Sequence, residues 1–261
     1  MRGLDISQVA YTFAQSPQKT GEADLENAPR HRSPNLFDNY AHRYEGVLNR
    51  ALSPSGETRP YFARQRILWL HNQLQAIGFK PSRVLDYGCG TGGSVPFLME
   101  ILRPRGVLGV DVSGESLIQA RSEHGGEGIE FANLQDYQPR SEFQLAFCNG
   151  VFHHIAPTQR PAALRYIYDS LVPGGMFALW ENNPWNPATC YITGRCEFDN
   201  GAMPISSARA RKLLCRNSFQ VLKASSHFYF PRWLKWLRPL EPTLARLPLG
   251  AQYMLLARKP A

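Results

Sequence analysis

The residues with the most chemistry to offer stand at the ends of apolar runs. Val84-Leu85-Asp86-Tyr87-Gly88-Cys89-Gly90-Thr91-Gly92-Gly93 closes an apolar run on a carboxylate and then turns through four glycines. Glycine lacks a Cβ, so its backbone can turn tightly and come close to a ligand. A strand, a glycine-rich turn and a helix in that order make a ligand cradle. Gly88, Gly90 and Gly93 satisfy G-x-G-x-x-G, the spacing that holds a dinucleotide pyrophosphate. Asp86 argues against that ligand: a carboxylate two residues before the first glycine repels phosphate and welcomes a cation. A second apolar run ends at Asp111, 23 residues after Gly88, where a carboxylate can accept hydrogen bonds from ribose hydroxyls. A third cluster, Asn149-Gly150-Val151-Phe152-His153-His154-Ile155, follows the run Phe143–Cys148. Open α/β sheets bind ligands at the carboxyl ends of their strands, where this imidazole pair falls. Adjacent residues point differently, so His153 is expected to face the cleft and His154 to pack. Structural roles for both are the alternative. Glu181, Asn182 and Trp185 follow the run Met176–Trp180 and are expected to rim the same cleft.

The stretch from Val84 to Gly93 resembles motif I of the class I methyltransferases that depend on S-adenosyl-L-methionine (SAM): apolar-apolar-Asp/Glu-x-G-x-G-x-G. Asn149–Ile155 is similar to the family's motif IV, which ends in Val-Leu-His-His. Leu171-Val172-Pro173-Gly174-Gly175 is similar to its Leu-x-Pro-Gly-Gly turn. The matching segments cover about 84–181. The resemblance implies an α/β fold: a Rossmann-like, seven-stranded, mostly parallel sheet with an antiparallel last strand, helices on both faces and an N-terminal helical lid. The implied cofactor is SAM, which leaves as S-adenosyl-L-homocysteine; its sulfonium and ammonium suit Asp86. Implied cofactor contacts are Asp86, Gly88, Gly90, Gly92, Asp111, Val112, Asn133, Leu134 and Asn149. Asn133 stands where Asp is more usual, and its amide oxygen can accept from the adenine amino group, with Asp136 as competitor. Implied substrate contacts are Tyr40, Tyr44, His153, Asn182 and Trp185. His153 first and Glu181 second are the candidate bases for an O or N nucleophile.

No metal is expected. Metal-dependent catechol-type enzymes place a carboxylate where this chain has Asn149, and the histidine pair has no evident third ligand. Asn183-Pro184-Trp185 resembles the N/D-P-P-Y/W box of nucleic-acid amino methyltransferases, yet it follows the fifth strand instead of the fourth and lacks the second proline. The family reading is therefore methyl transfer to an O, N or C atom of a small molecule in specialised-metabolite, quinone or lipid-related biosynthesis. An RNA-modifying methyltransferase and a SAM-binding protein without methyl transfer are the alternatives.

Elements must position these groups. Residues 1–33 read as a flexible N-terminal arm, 34–80 as a helical lid or cap, and 81–261 as the SAM-binding domain. Leu36, Phe37, Tyr40, Tyr44, Val47 and Leu48 recur at spacings of three and four and predict an amphipathic helix. Phe37-Asp38-x-x-Ala41-x-x-Tyr44 resembles the family's lid helix. A second helix is expected over about Arg59–Ile77, ended by Gly78. Strands are expected at Val84–Tyr87, Val107–Asp111, Ile129–Ala132, Phe143–Cys148 and Met176–Glu181, then from Phe219 toward Phe230, and at Gln252–Arg258. Helices are expected at Ser94–Leu102, at Ser113–Arg121 with Ser113 as its N-cap, and at Arg160–Leu171 and Ser206–Asn217. Residues 186–206 read as a loop.

Bulk properties narrow the classes. The 261 residues are 43% hydrophobic and hold no run of eighteen apolar residues, so no membrane-spanning helix is expected. The opening residues lack the apolar core of a secretory signal. Five cysteines at 89, 148, 190, 196 and 215 form no C-x-x-C pair, which fits reduced thiols in a cytoplasm. The net charge of +8 is uneven: from Ser207 onward eleven Lys/Arg face one acid, Glu241. That basic tail reads as a solvated face or as a binding face for an anionic or membrane-bound partner. An insertion at about 228–248 interleaves aromatic, leucine and basic residues, and prolines at 239, 242 and 248 split it into short helices. Such a segment can lie weakly on a membrane surface, receive an apolar or anionic acceptor, or simply pack on the sheet edge. Nucleic acid is the disfavoured partner, and the oligomeric state is not legible.

Overall fold

Residues 52–195 and 201–261 are described by the computed structural model of the chain. The expected arm and lid helix, with Tyr40 and Tyr44, lie outside the described residues. Helix α1 (Arg59–Ala76) begins where Thr58 accepts a hydrogen bond from Tyr61 N–H and Pro60 pre-sets the first turn. It buries Ala63, Ile67, Leu70 and Leu74 along one stripe. Strand β1 (Arg83–Tyr87) leads through the glycine turn into α2 (Val95–Phe97). The helix expected over Ser94–Leu102 is thus one α-turn that widens into a π-turn at Leu98–Leu102. It stops at Arg103, whose φ is 50°, because Pro104 cannot continue it.

Strand β2 (Gly106–Asp111) precedes α3 (Gly114–His124), where Ser113 Oγ accepts from Ser116 N–H as the expected cap. Strands β3 (Ile129–Asn133) and β4 (Phe143–Asn149), helix α4 (Arg160–Ser170) and strand β5 (Leu171–Asn182) follow. Strand β5 starts earlier than expected. Leu171 pairs with Phe143 and Met176 with Leu145, so Pro173-Gly174-Gly175 bulges out of a strand already begun. The stretch 186–206 is not all loop: Asn186 caps α5 (Pro187–Thr193) by accepting from Thr189 N–H. Helix α6 (Ser207–Arg216) and strand β6 (Gln220–His227) come next. The insertion then forms a 3-10 helix (Arg232–Leu240) and α7 (Glu241–Leu244) before β7 (Gln252–Arg258).

The seven strands order as β3-β2-β1-β4-β5-β7-β6. The first five are mutually parallel, and β7 runs antiparallel to both β5 and β6. Alternation along the strands splits the core into two layers. Leu145, Phe147, Met176, Ala178 and Trp180 pack with Ile67, Leu70 and Leu74 of α1 and with Leu117 of α3. Ala146, Cys148, Phe177 and Leu179 pack with Leu164 and Ile167 of α4 and with Leu214 of α6. Parallel strands covered on both faces put their carboxyl ends at one edge, and that edge carries Asp86, Asp111, Asn149 and Glu181.

Candidate active site

The glycine turn is held from β2. Gly88 and Cys89 N–H both donate to Val110 O, at 2.8 and 3.1 Å. Asp111 ties the turn through both carboxylate oxygens: Gly90 N–H donates to Oδ2 at 2.8 Å and Ser113 N–H to Oδ1 at 2.9 Å. Gly88 has φ 73°, and a Cβ there would stand 2.3 Å from Val151 Cγ2. Gly90 has φ 53° and open space where its Cβ would be. One glycine admits the neighbouring loop and the other leaves room for a ligand against bare backbone. Gly92 belongs to packing, since its Cβ would press on His124, Phe131 and Ala120.

Behind the turn, Asp86 is 2% exposed and its Oδ2 has no hydrogen-bond partner among the described residues. Burial, together with the nearby Asp111 carboxylate, pushes its pKa up to about 7. The Asn149 Oδ1, also buried, lacks a partner too. Two orphaned acceptor oxygens at the edge of one cavity ask for a donor, and a cationic one best satisfies Asp86. The group implied by the family, with its sulfonium and ammonium, meets that requirement. Asp111, whose carboxylate can accept about four hydrogen bonds, and the apolar walls of Val112 and Leu134 fit its ribose and purine. The residues present therefore fit SAM.

The second cluster is a buried chain of polar contacts. His153 Nδ1 lies 2.6 Å from Glu181 Oε2, and Phe152 N–H donates to Glu181 Oε1 at 2.7 Å. A carboxylate accepting twice assigns the His153 proton to Nδ1, which makes Nε2 the basic nitrogen. Glu181 is 1% exposed and does not line the cavity. The expectation that it rims the cleft as a second base is corrected: it stands behind His153 and orients it. This follows from register, for Asn149 pairs with Trp180 and so sets residue 181 beside the turn that carries His153. Arg160, 7% exposed, clamps the same turn by donating from Nε to Phe152 O and Ile155 O, and from Nη2 to Met203 O. Burial lowers its pKa while Glu181 opposes the shift.

A cavity of about 550 Å³ joins the two clusters, within the usual range for small-molecule sites. Asp86, Gly88, Gly90, Asp111, Val112, Leu134, Asn149, His153 and Asn182 all line it. His154 lines it as well, which corrects the expectation that it only packs: residues 152–154 form a turn, without a strand's alternation, and the two rings sit 4.0 Å apart. Asn133 does not line it. Its Oδ1 accepts from Gln135 N–H, and Leu134 N–H donates to Asp111 O. Trp185 is 58% exposed and also stands off the cavity.

The sequence reading missed three cavity arginines. Arg59 donates to Thr91 Oγ1 at 3.1 Å and occupies space that the absent Cβ of Gly93 leaves. Arg66 donates to Gln252 Oε1 at 2.8 Å, and Gln252 in turn donates to Asn182 Oδ1 at 2.9 Å. Arg238 pairs with Glu57 at 2.8 Å and lies over the Tyr61 ring. Tyr61, Phe62, Phe228 and Phe230 supply apolar wall beside them. Arg59 and Arg66 stand seven residues apart on α1 and Arg238 stands in the 3-10 helix of the insertion, so only the fold brings all three to one space.

Residues 84–175 match the family model described as a methyltransferase domain. The chain is similar to a trans-aconitate 2-methyltransferase of Rhodopseudomonas palustris, 34% identical over 103 residues, which are 38% of each chain. It is similar to a fatty-acid O-methyltransferase of Mycolicibacterium smegmatis, 28% identical over 152 residues, covering 57% of this chain and 53% of that one. The chain thus spans only about 38% to 53% of these two curated relatives. Among solved structures it resembles an S-adenosylmethionine dependent methyltransferase from Mesorhizobium loti, with a TM-score of 0.53 and 20% identity, over 72% of this chain and 96% of that one. That likeness shows the fold.

Proposed function

We propose that residues 84–175, which match a methyltransferase-domain model, form a class I, SAM-dependent methyltransferase domain, and that the protein transfers a methyl group from SAM to an oxygen of a small acceptor that is anionic, apolar or both. One observation carries the reading: a single cavity joins orphaned acceptor oxygens on Asp86 and Asn149 to an oriented His153 and an arginine-lined aromatic wall. When bound, the cofactor supplies an electrophilic methyl on a sulfonium. Asp86 offers its ammonium and sulfonium a negative charge, and Asn149 offers a carbonyl oxygen. Asp111 receives ribose hydroxyls, and Arg59, beside Gly93, suits the cofactor's carboxylate. Arg66 and Arg238 carry permanent charge and multiple N–H donors for an acceptor carboxylate. Tyr61, Phe62 and Phe228 bury an apolar body. His153 Nε2 takes the proton of a hydroxyl acceptor while Glu181 holds the ring. The acceptors named for the two relatives, trans-aconitate and fatty acid, are both carboxylic acids, which supports an anionic acceptor. The free thiols of Cys89, Cys148, Cys190 and Cys215 suit a cytoplasmic setting.

Titration calorimetry with SAM is the first test, followed by detection of S-adenosylhomocysteine with a panel of carboxylic and hydroxylated acceptors. Micromolar binding and turnover on an acidic acceptor are expected. Folded protein that fails to bind SAM would refute the reading.

A further inference from the structure

The surface beside the cavity mouth gathers more exposed apolar side chains than any other stretch of similar length among the described residues. Eleven large apolar side chains are exposed among the described residues, and five of them (Trp233, Trp236, Leu240, Leu247 and Leu249) fall within residues 233–249. Trp233 and Trp236 are each 70% exposed. Exposed Trp185 adjoins this group, because Asn186 donates to Leu249 O at 2.7 Å and Asn183 to Pro248 O at 2.9 Å. The face is continuous with the cavity: Trp233 lines it, and Tyr229, another lining residue, donates to Leu244 O at 2.7 Å.

Among the described residues, the exposed charges of this face have one sign. Arg195, Arg232, Lys235 and Arg246 are exposed. Residues 183–195 and 228–251 contain a single acid, Glu241, which is 7% exposed and turned inward to accept from Tyr229 and Phe230 N–H. No helix among the described residues is long and apolar enough to cross a membrane. We propose that this face docks the protein on the surface of an anionic lipid bilayer, with the tryptophans at headgroup depth and the cavity mouth turned toward the lipid. Indole rings favour that interface, and cations beside them meet anionic headgroups. Charge complementarity selects this occupant, for a second copy would bring the exposed cations Arg232, Lys235 and Arg246 face to face with their own kind. Delivery of an apolar acceptor from the bilayer rests on the proposed function; the docking itself does not.

The test is co-sedimentation of the full chain with vesicles of phosphatidylcholine alone and of phosphatidylcholine mixed with phosphatidylglycerol, read beside tryptophan emission. Binding and a blue shift are expected on the anionic vesicles only, and both should fade with added salt. Trp236→Ala, and separately Lys235→Glu, should each weaken partitioning by about tenfold, with unchanged circular dichroism melts. No cofactor is present in this assay, so its failure is distinct from a failure of methyl transfer. Absence of binding to anionic vesicles overturns the proposal. So does partitioning that both variants leave unchanged, or a self-association that Trp236→Ala dissolves without any vesicle binding, which would assign the face to a second copy.

Discussion

Asp86 is the residue whose chemistry depends most on what sits beside it. An unpaired buried carboxylate is costly, and its pKa of about 7 means that the ligand-free folded chain holds a proton the unfolded chain releases near pH 4. The folded pKa is the raised one, so Asp86 lowers stability as pH rises from about 4 to about 7 and by a constant amount above that. A cation needs the ionised form. Affinity for SAM should therefore climb with pH up to about 7 and then level off, and calorimetry at several pH values reads it directly. Asp86→Asn should stabilise the ligand-free protein at pH 8 by on the order of 1–3 kcal/mol in urea denaturation while weakening SAM binding tenfold or more. An affinity that does not change from mildly acidic to mildly basic pH would assign the cation to another group. Glu181 makes a different point. Glu181→Gln loosens the proton assignment on His153 without removing bulk. With a hydroxyl acceptor, kcat should fall on the order of 100-fold, with KM for SAM little changed. A carboxylate acceptor is already ionised and needs no base, so the same variant should then cost only a few-fold. The ratio between the two acceptors in steady-state assays decides what His153 does.

The elements were legible in the sequence to the degree that local pattern controls them. The strand–turn–helix from Val84 was readable because an apolar run, an acid and closely spaced glycines are all local signals. Ser113 was readable as a cap for the same reason. Helix α5 was not: the seven residues Pro187–Thr193 are too few for a helical period to emerge. Strand β5 was misjudged at its start because the Pro-Gly-Gly turn reads as a boundary, whereas neighbouring β4 pairs on both sides of it. Glu181 was legible as a rim residue but not as the partner of His153, since only the register of β4 with β5 joins positions 28 apart. The junction of two elements is also where one methyl group matters most. Gly88→Ala would drive a Cβ to 2.3 Å from Val151 Cγ2 at φ 73°. Overpacking and left-handed strain together should destabilise by about 2–4 kcal/mol in urea denaturation. Adding Val151→Ala should recover only part of that loss, because it relieves the clash and leaves the strained backbone.

At the scale of the whole molecule, the mostly parallel sheet, its antiparallel last strand and the helices on both faces were implied by the family resemblance, while the strand order and the pocket's charge were not. Arg59, Arg66 and Arg238 come from the two ends of α1's first half and from the insertion, and only tertiary folding sets them around one space. The same holds for the exposed face at 233–249, whose basic and aromatic composition was plain but whose placement at the cavity mouth was not. Strand β7 has a temporal consequence. It lies between β5 and β6, yet it is the latest strand in the chain. While a ribosome is still releasing residues 252–258, β5 lacks its neighbour and β6 has no strand to join. Two unpaired strand edges thus stay open together until one segment closes both. Gln252, which links Arg66 to Asn182 across the cavity, arrives in that same step. The nascent chain therefore gains its finished sheet and its finished pocket at one moment, and an interrupted translation product has neither.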